Sequence, residues 1–512
     1  MISRKFDYAL LISLPLLWFF FYLLPNYLLP ADCATGNFIY AENLAKSGVF
    51  TFDVLSNVRY DDSSNYLYVL TLFLCIKFLG FSTYKAALMV SGTSLLLSLF
   101  FLHRAVASRF VSVHLLLIGL LFMSTQIWAG VLGDEVLFQG LLYVLAMRSF
   151  WKHRYTWLMI WSTLNVMARP DNLLFILPLI VASYWDIRLL KDRDKPKFMR
   201  RRIVKTIIWL IVPLVAFGAY RHFYFGSVLP LSWKHTSMLA DKKYWVFNSS
   251  SLLMLKHYLR FQILPLLIGV IFYFLKEFKQ LTIRYYALLI GFVFIPMLYN
   301  CTFVQDQNLG YKNYYTIYLG LITLSLLFIR DFRSISQAFF TAVFVFFFGF
   351  PKAKDYFIKT LQKTTDNMYV IANDLNSVQN GKVVAYYDNF ITWLTDWQTT
   401  FANGIHTPDR NKYKLSREEI LNLESDVILV ADNLFLDDFK EKYDLYSVPQ
   451  STRQYQRQLS PDNSIDRFFY DNTKKFPVSE FGYNKMLVWK YGNNYKDITA
   501  IIEKHGAKKT GF

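Results

Sequence analysis

Cysteine is scarce in this 512-residue chain: Cys33, Cys75 and Cys301 are its only thiols. Three cysteines so far apart give no disulfide framework and no metal-ligand spacing. Acidic residues are outnumbered, 37 Asp and Glu against 55 Lys and Arg, for a net charge of +18. No internal repeat of the kind from which many transporters are built is visible. Charge is missing above all from long apolar runs, and those runs dominate the chain. Residues are 54% hydrophobic and 19% aromatic, with 48 Phe and 35 Tyr, and the mean hydropathy is +0.26. The run "YALLISLPLLWFFFYLLPNYLL" (8–29) has the roughly 20-residue length that a bilayer span needs. It is too long for a signal-peptide core, and no small-x-small cleavage site follows it. A lipobox reading of "LPADC" fails because Asp32 stands where a small residue is required.

Apolar segments recur at 8–29, 66–80, 84–102, 111–131, 135–151, 155–168, 171–187, 204–222, 257–275, 284–302, 314–329 and 335–350. Basic connections separate them: "HRAVASR" (103–109), "WKHR" (151–154), the segment 188–205, "KEFKQLTIR" (276–284) and "RDFR" (330–333). Segment 188–205 alone carries nine Lys/Arg against two Asp. The positive-inside rule puts all five in the cytoplasm together with the N-terminal "SRK". Parity allows this only if 66–80 does not cross. That segment has 15 residues and a lysine, which suits an interfacial or re-entrant helix on the outer face. The expectation is an α-helical polytopic membrane protein with about 11 transmembrane helices plus that outer helix, N-terminus cytoplasmic and C-terminus outside. The positive charge then serves orientation and contact with anionic lipid rather than nucleic acid.

The polar and acidic segments gather on the outer side: the first outer loop 31–65, "GDE" (133–135), "RPD" (169–171), and the loops 223–256 and 303–313. Everything after 350 joins them. There the composition becomes that of a soluble domain, so the division expected is 1–350 in the membrane and 351–512 outside it. "KVVAYYD" (382–388), "SDVILVAD" (425–432) and "MLVWKYG" (486–492) read as short buried strands. Helical stretches fit 355–379 and 416–423, which points to a small α/β domain. It contains no glycine-rich phosphate loop and no nucleophilic triad. Its most distinctive loop is "WQTTFANGIHTPDRNKY" (397–413).

Six motifs, in order and all on the outer side, carry a resemblance. The first loop, "DCATGNFIYAENLAKSG", supplies Asp32, Ala34, Tyr40, Ala41, Asn43, Leu44 and Gly48. "DDSSNYLY" (61–68) precedes the outer helix, and "LGDEV" (132–136) and "RPD" (169–171) follow. "FYFGSVLPLSWKH" (223–235) and "QDQNLGYKN" (305–313) complete the set. In this order the chain resembles the C superfamily (GT-C) of polytopic glycosyltransferases, closest to bacterial arabinofuranosyltransferase-like members. These read "DDAYISFRYAxNLxxGxG", "EGYTSPLW", "SGxET", "RPE", "YYGxxLPNTxxxK" and "GDWMxGYRF" at the corresponding places. The family's "DLxGLTxP" loop survives degenerately as "DWQTTFANGIHTP". Departures are Cys33 for the second acid of the usual pair, Asp61 at the glutamate position, Lys312 for arginine, and Lys234 about two residues early.

The resemblance implies transfer of a monosaccharide from a polyprenyl-phosphate carrier to an envelope glycan, glycolipid or protein. The implied location is the outer face of a bacterial inner membrane, and no metal ligands are assigned. Such transfer needs a base for the acceptor hydroxyl, cations for the leaving phosphate and an apolar groove for the lipid. Asp32 takes the base position; it also suits a helix N-cap. Arg169 is a donor phosphate or sugar contact, or else a structural ion pair with Asp171. Lys312 and Lys234 are further phosphate ligands or plain interfacial anchors, and Asp306 orients Lys312 or binds sugar. Glu135 and Asp134 bind acceptor or donor hydroxyls, or begin a solvated helix. Asp61, with Asp62, is an acceptor contact or a solvated turn. Two rival classes stand beside this one: a flippase for lipid-linked sugar, and a non-catalytic subunit of an envelope-polysaccharide assembly complex.

Overall fold

The computed structural model describes residues 35–52, 59, 63, 65–106, 133, 135–185, 195–230, 283–302, 315–329, 366–385, 390–401, 417–430, 439–448 and 485–510. The expected spans 8–29, 111–131, 257–275 and 335–350 lie outside these residues. Among the described residues eleven helices come first: α1 Thr35–Ser47, α2 Tyr66–Leu79, α3 Thr83–Val106, α4 Val136–Trp151, α5 Tyr155–Ala168, α6 Asn172–Trp185, α7 Lys195–Thr206, α8 Val212–Phe225, α9 Ile283–Leu289, α10 Ile295–Thr302 and α11 Tyr315–Ile329. Single π-helical turns at Ile207–Ile211 and Ile290–Phe294 join α7 to α8 and α9 to α10. By length and composition two described helices suffice to cross a membrane, Thr83–Leu102 and Pro196–Phe225. The others are shorter; α4, with 16 residues, measures about 24 Å at 1.5 Å per residue.

Helix α2 has the boundaries the sequence predicts, and local chemistry sets both. Asn65 accepts a hydrogen bond from the Tyr68 amide at 3.0 Å as N-cap. Gly80, at φ +68°, ends the helix in the left-handed region that favours glycine. Its 14 residues span about 21 Å, short of the ~30 Å hydrocarbon core. One face is buried through Tyr66, Tyr68, Val69 and Leu72, while Leu74, Phe78 and Leu79 stay exposed.

After the helices come α12 Asp366–Leu375, β1 Lys382–Ala385, α13 Phe390–Leu394, β2 Gln398–Phe401, α14 Arg417–Asn422, β3 Val427–Val430, β4 Tyr443–Ser447, β5 Lys485–Trp489, α15 Tyr495–Lys504 and β6 Lys508–Thr510. The strands form one mixed sheet, ordered β2-β1-β3-β5-β4-β6. β1 runs parallel to β2 and β3, whereas β5 and β6 pair antiparallel to their neighbours. Alternation along the strands sends side chains to two cores. Val384, Ile428, Leu445 and Leu487 pack with Ile420 of α14 on one face. Val383, Ala385, Val427, Leu429, Met486 and Val488 pack on the other with α12, α13 and α15. That second core is continuous with Phe38, Tyr40 and Ala41 of α1 and with Tyr68, Val69 and Leu72 of α2. The sheet therefore seats on the helices that follow the first apolar run.

Trp393 of α13 makes the join specific. Its ring meets Phe38 edge-on at 5.1 Å, and its indole Nε1 donates to Glu42 at 3.1 Å. Glu42 also accepts from the Thr83 hydroxyl at the start of α3.

Candidate functional site

Three polar side chains follow one another down α4 at intervals of four, Glu135, Gln139 and Tyr143, and so share one face. The turn from α5 to α6 adds Arg169, Asp171 and Asn172. Tyr299 near the end of α10 and Tyr315 and Thr316 at the start of α11 close the ring. With Val136 and Phe175 these residues line a small pocket of about 40 Å³ that opens to one side. All the contributing helix ends lie at one end of the bundle, the end on which α1, α2 and the sheet sit. Glycine lets two of the walls approach: a Cβ on Gly140 would strike the Tyr315 ring, and one on Gly291 the Phe175 carbonyl oxygen.

The charges are held firmly. Arg169 donates from Nε to Asp171 Oδ1 at 3.2 Å and from Nη2 to Oδ2 at 2.8 Å, a two-point grip that fixes the guanidinium plane. Tyr299 donates its hydroxyl to the same Oδ2 at 3.3 Å. Asp171 is 2% exposed, whereas 28% of the Arg169 side chain is open. Burial on its own lowers the Arg169 pKa, but the adjoining Asp171 carboxylate outweighs it and the net shift is upward. Glu135 is 2% exposed and accepts from Asn37 Nδ2 of α1 at 3.1 Å.

Behind these lies a chain of buried amides. Asn65 Nδ2 donates to Gln139 Oε1 at 2.9 Å, and Gln139 Nε2 donates to Asn165 Oδ1 at 3.0 Å. Asn165 in turn donates to the Leu142 and Trp161 carbonyls at 3.0 and 2.8 Å. Asn172 Nδ2 donates to the Asn165 carbonyl at 2.8 Å and accepts from the Tyr143 hydroxyl. A connected network of this kind rigidifies the helices that carry it.

Of the residues singled out in the sequence, the structure brings Glu135 and Arg169 into one pocket. Glu135 is not at a solvated helix start, because the carboxylate points inward among buried partners. Arg169 makes the ion pair with Asp171 and also lines the cavity. Asp32, Asp61, Asp62, Asp134, Lys234, Asp306 and Lys312 lie outside the described residues, as do Cys33 and the loop residues 402–416. The motif residues Tyr40, Asn43 and Gly48 prove to shape the first loop. Tyr40 stacks on Phe50 at 5.0 Å. Asn43 Nδ2 donates to the Thr51 and Phe52 carbonyls at 3.1 and 2.8 Å, and Gly48 turns the chain at φ +75°. Tyr143, Tyr299, Tyr315, Gln139 and Asn172 were not anticipated; polar residues repeating at helical spacing inside apolar runs were their signal. Among the described residues no three His, Cys, Asp or Glu side chains cluster as a metal site would require.

No family model and no curated protein matches the chain. Among solved structures, the chain is similar to one over 83% of its own length and 92% of the other's, with TM-score 0.56 and 8% identity. The chain thus shares the overall fold of that solved structure. That solved structure is the apo crystal structure of ArnT from Cupriavidus metallidurans.

Proposed function

We propose that this chain is a glycosyltransferase that moves a monosaccharide from a polyprenyl-phosphate carrier to an acceptor on the extracytoplasmic face of a bacterial inner membrane. The observation that carries the reading is the pocket: a buried carboxylate, Glu135, and a fixed guanidinium, Arg169, face one cavity at the end of the helical bundle. The sugar and the lipid phosphate reach such a cavity from the membrane surface, with the polyprenyl tail remaining between helices. Residues 1–350 carry the chemistry in this proposal, residues 351–512 form the outer domain, and the N-terminus is cytoplasmic.

The reaction is a single displacement. The acceptor hydroxyl attacks the anomeric carbon as the bond from that carbon to the phosphate oxygen breaks, and the electron pair leaves with polyprenyl phosphate. Inversion at the anomeric carbon follows. Asp32 takes the hydroxyl proton, a role worth roughly 10²–10⁴-fold when the carboxylate is well placed. The leaving phosphate is a weak base and needs no dedicated acid. Arg169, oriented by Asp171, neutralises charge as it develops on the phosphate, joined by Lys234 and Lys312 with Asp306 beside the latter. Glu135, with Asp134 and Asp61, accepts hydrogen bonds from sugar hydroxyls, and Phe175 and the pocket tyrosines supply flat apolar surface for the ring.

The test uses purified full-length protein in detergent, a panel of polyprenyl-phosphate monosaccharides and an acceptor-bearing membrane extract, with release of polyprenyl phosphate as the readout. Release from one donor that disappears in Asp32→Asn, with the variant folded, is the expected result. Donor transport across vesicles without release would favour the flippase reading. Neither release nor transport would leave the assembly-subunit reading.

A further inference from the structure

The end of the bundle opposite the pocket holds a second polar cluster of a different kind. Arg104 closes α3, Arg148 sits in the last turn of α4, and Arg154 precedes α5. The end of α3 and the turn from α4 to α5 thus meet in space. Arg104 and Arg154 lie near enough for their charges to act on Arg148. Arg148 packs over the Phe101 ring at 5.0 Å, and Arg104 over Phe100 at 5.3 Å. Among the described residues no carboxylate forms an ion pair with any of the three. The Nε of Arg148 is buried and has no hydrogen-bond partner there. Three mutually repelling cations around an unmatched buried donor are an unfavourable arrangement unless an anion completes it.

The surroundings indicate what kind of anion. Leu97, seven residues before Arg104 and on its face of α3, is 38% exposed, and Trp157, one turn beyond Arg154, is 49% exposed. Trp157 stacks on Trp161 at 5.9 Å, an aromatic pair of the sort found at membrane interfaces. The cationic cluster is therefore continuous with exposed apolar surface. It stands 13 residues along α4 from Glu135, which is about 20 Å, so it is a separate site.

We propose that Arg104, Arg148 and Arg154 form a binding site for the phosphodiester headgroup of an anionic membrane lipid, seated at the cytoplasmic end of the bundle. The Arg148 Nε donates to a phosphate oxygen, Arg104 and Arg154 close around the remaining oxygens, and the acyl chains descend past Leu97 and Trp157.

The experiment is a native mass spectrometry titration of the full-length protein in detergent. Phosphatidylglycerol and phosphatidylcholine of matched chains are added in turn, and inorganic phosphate serves as competitor. The wild type is expected to retain phosphatidylglycerol in preference to phosphatidylcholine. Arg104→Gln/Arg154→Gln, at two exposed positions outside the core, is expected to weaken that retention roughly 30-fold, about five-fold for each arginine. Lys197→Gln/Arg200→Gln on α7 is expected to leave it within about two-fold. Three results would overturn the proposal: equal retention of the two lipids, equal loss in the α7 variant, or displacement of the lipid by millimolar phosphate, which would make this a site for a free anion.

Discussion

Asp171 grips Arg169 at both Nε and Nη2, at 3.2 and 2.8 Å, across a single proline. The pairing has a consequence for how each residue tolerates change. Lysine cannot reproduce a planar two-point grip, so Arg169→Lys should fold but lose transfer by about 10²-fold, the usual cost of misplacing a positioned group. Asp171→Asn removes the partner of a largely enclosed cation and should cost about 3–5 kcal/mol of stability. Thermal denaturation in detergent separates the two: a normal midpoint with low activity for the first, a lowered midpoint for the second.

Glu135→Gln tests the pocket's other charge. Glutamine keeps an oxygen to accept from Asn37 Nδ2, so the tie between α1 and α4 should hold. If Glu135 contacts sugar hydroxyls, KM for the donor or acceptor should rise about ten-fold, equivalent to 1.4 kcal/mol, with kcat little changed. A loss confined to kcat would instead make this carboxylate the base and displace Asp32 from that role.

Gly291 faces the backbone of α6, and no side-chain rotation can make room for a methyl group there. Gly291→Ala should destabilise by about 1–3 kcal/mol and widen the pocket wall that Phe175 forms. Gly140→Ala meets side chains rather than backbone, the Tyr315 ring and then Leu319, so its effect on stability should be the smaller while its effect on activity should be the larger. Melting curves and transfer assays on the two variants supply the comparison.

The seat of the C-terminal sheet depends on one indole. Trp393→Phe retains the ring contact with Phe38 but loses the hydrogen bond to Glu42, and should cost about 1 kcal/mol. Trp393→Ala should loosen the seat altogether, by about 3–5 kcal/mol. Limited proteolysis ahead of α12 is the measurement, with faster cleavage expected for alanine than for phenylalanine.

Acid should weaken the sheet through Asp444. Burial raises the pKa of that carboxyl, but hydrogen bonds from Lys509 at 2.7 Å and Tyr495 at 2.5 Å outweigh it, and Lys490 adds to them, so the net shift is downward. A depressed carboxylate contributes stability above its unfolded value of about 3.9 and loses it as pH falls through the folded value. Unfolding of the sheet should therefore begin below about pH 4, and Asp444→Asn should flatten that dependence. Tryptophan fluorescence against pH follows it. Asp374, held by Lys504 and His505 at 2.9 and 2.8 Å, is shifted in the same direction and adds to the slope.

Much of the helical part was legible because its boundaries are chemical. Helix α5 runs 155–168 as expected, since Arg154 and "RPD" bracket it. Helix α7 starts at Lys195, well before the expected apolar run 204–222: "KPKFMRRR" is made largely of good helix formers, with proline in the first turn where it is tolerated. In the sheet, β1, β3 and β5 were visible as apolar runs, whereas "QTTF", "YDLYS" and "KKT" were not. Those three are short, and their strand character comes from pairing with distant segments rather than from their own residues. At the site, Glu135 and Arg169 stood out because charge in apolar context is expensive. Asn37, Asn65 and Tyr299 did not, because neutral polar residues acquire meaning only from partners 98, 74 and 128 residues away.

The bond between Glu42 and Trp393 joins residues 351 apart. On a ribosome adding about 5–20 residues each second, α1 waits roughly 20–70 s for the indole that covers it. Throughout that interval the Phe38 ring lacks the indole that later covers it. The seat is thus closed by a late part of the chain, and a nascent protein halted before α13 presents an uncapped apolar surface to whatever folding factors or proteases it meets.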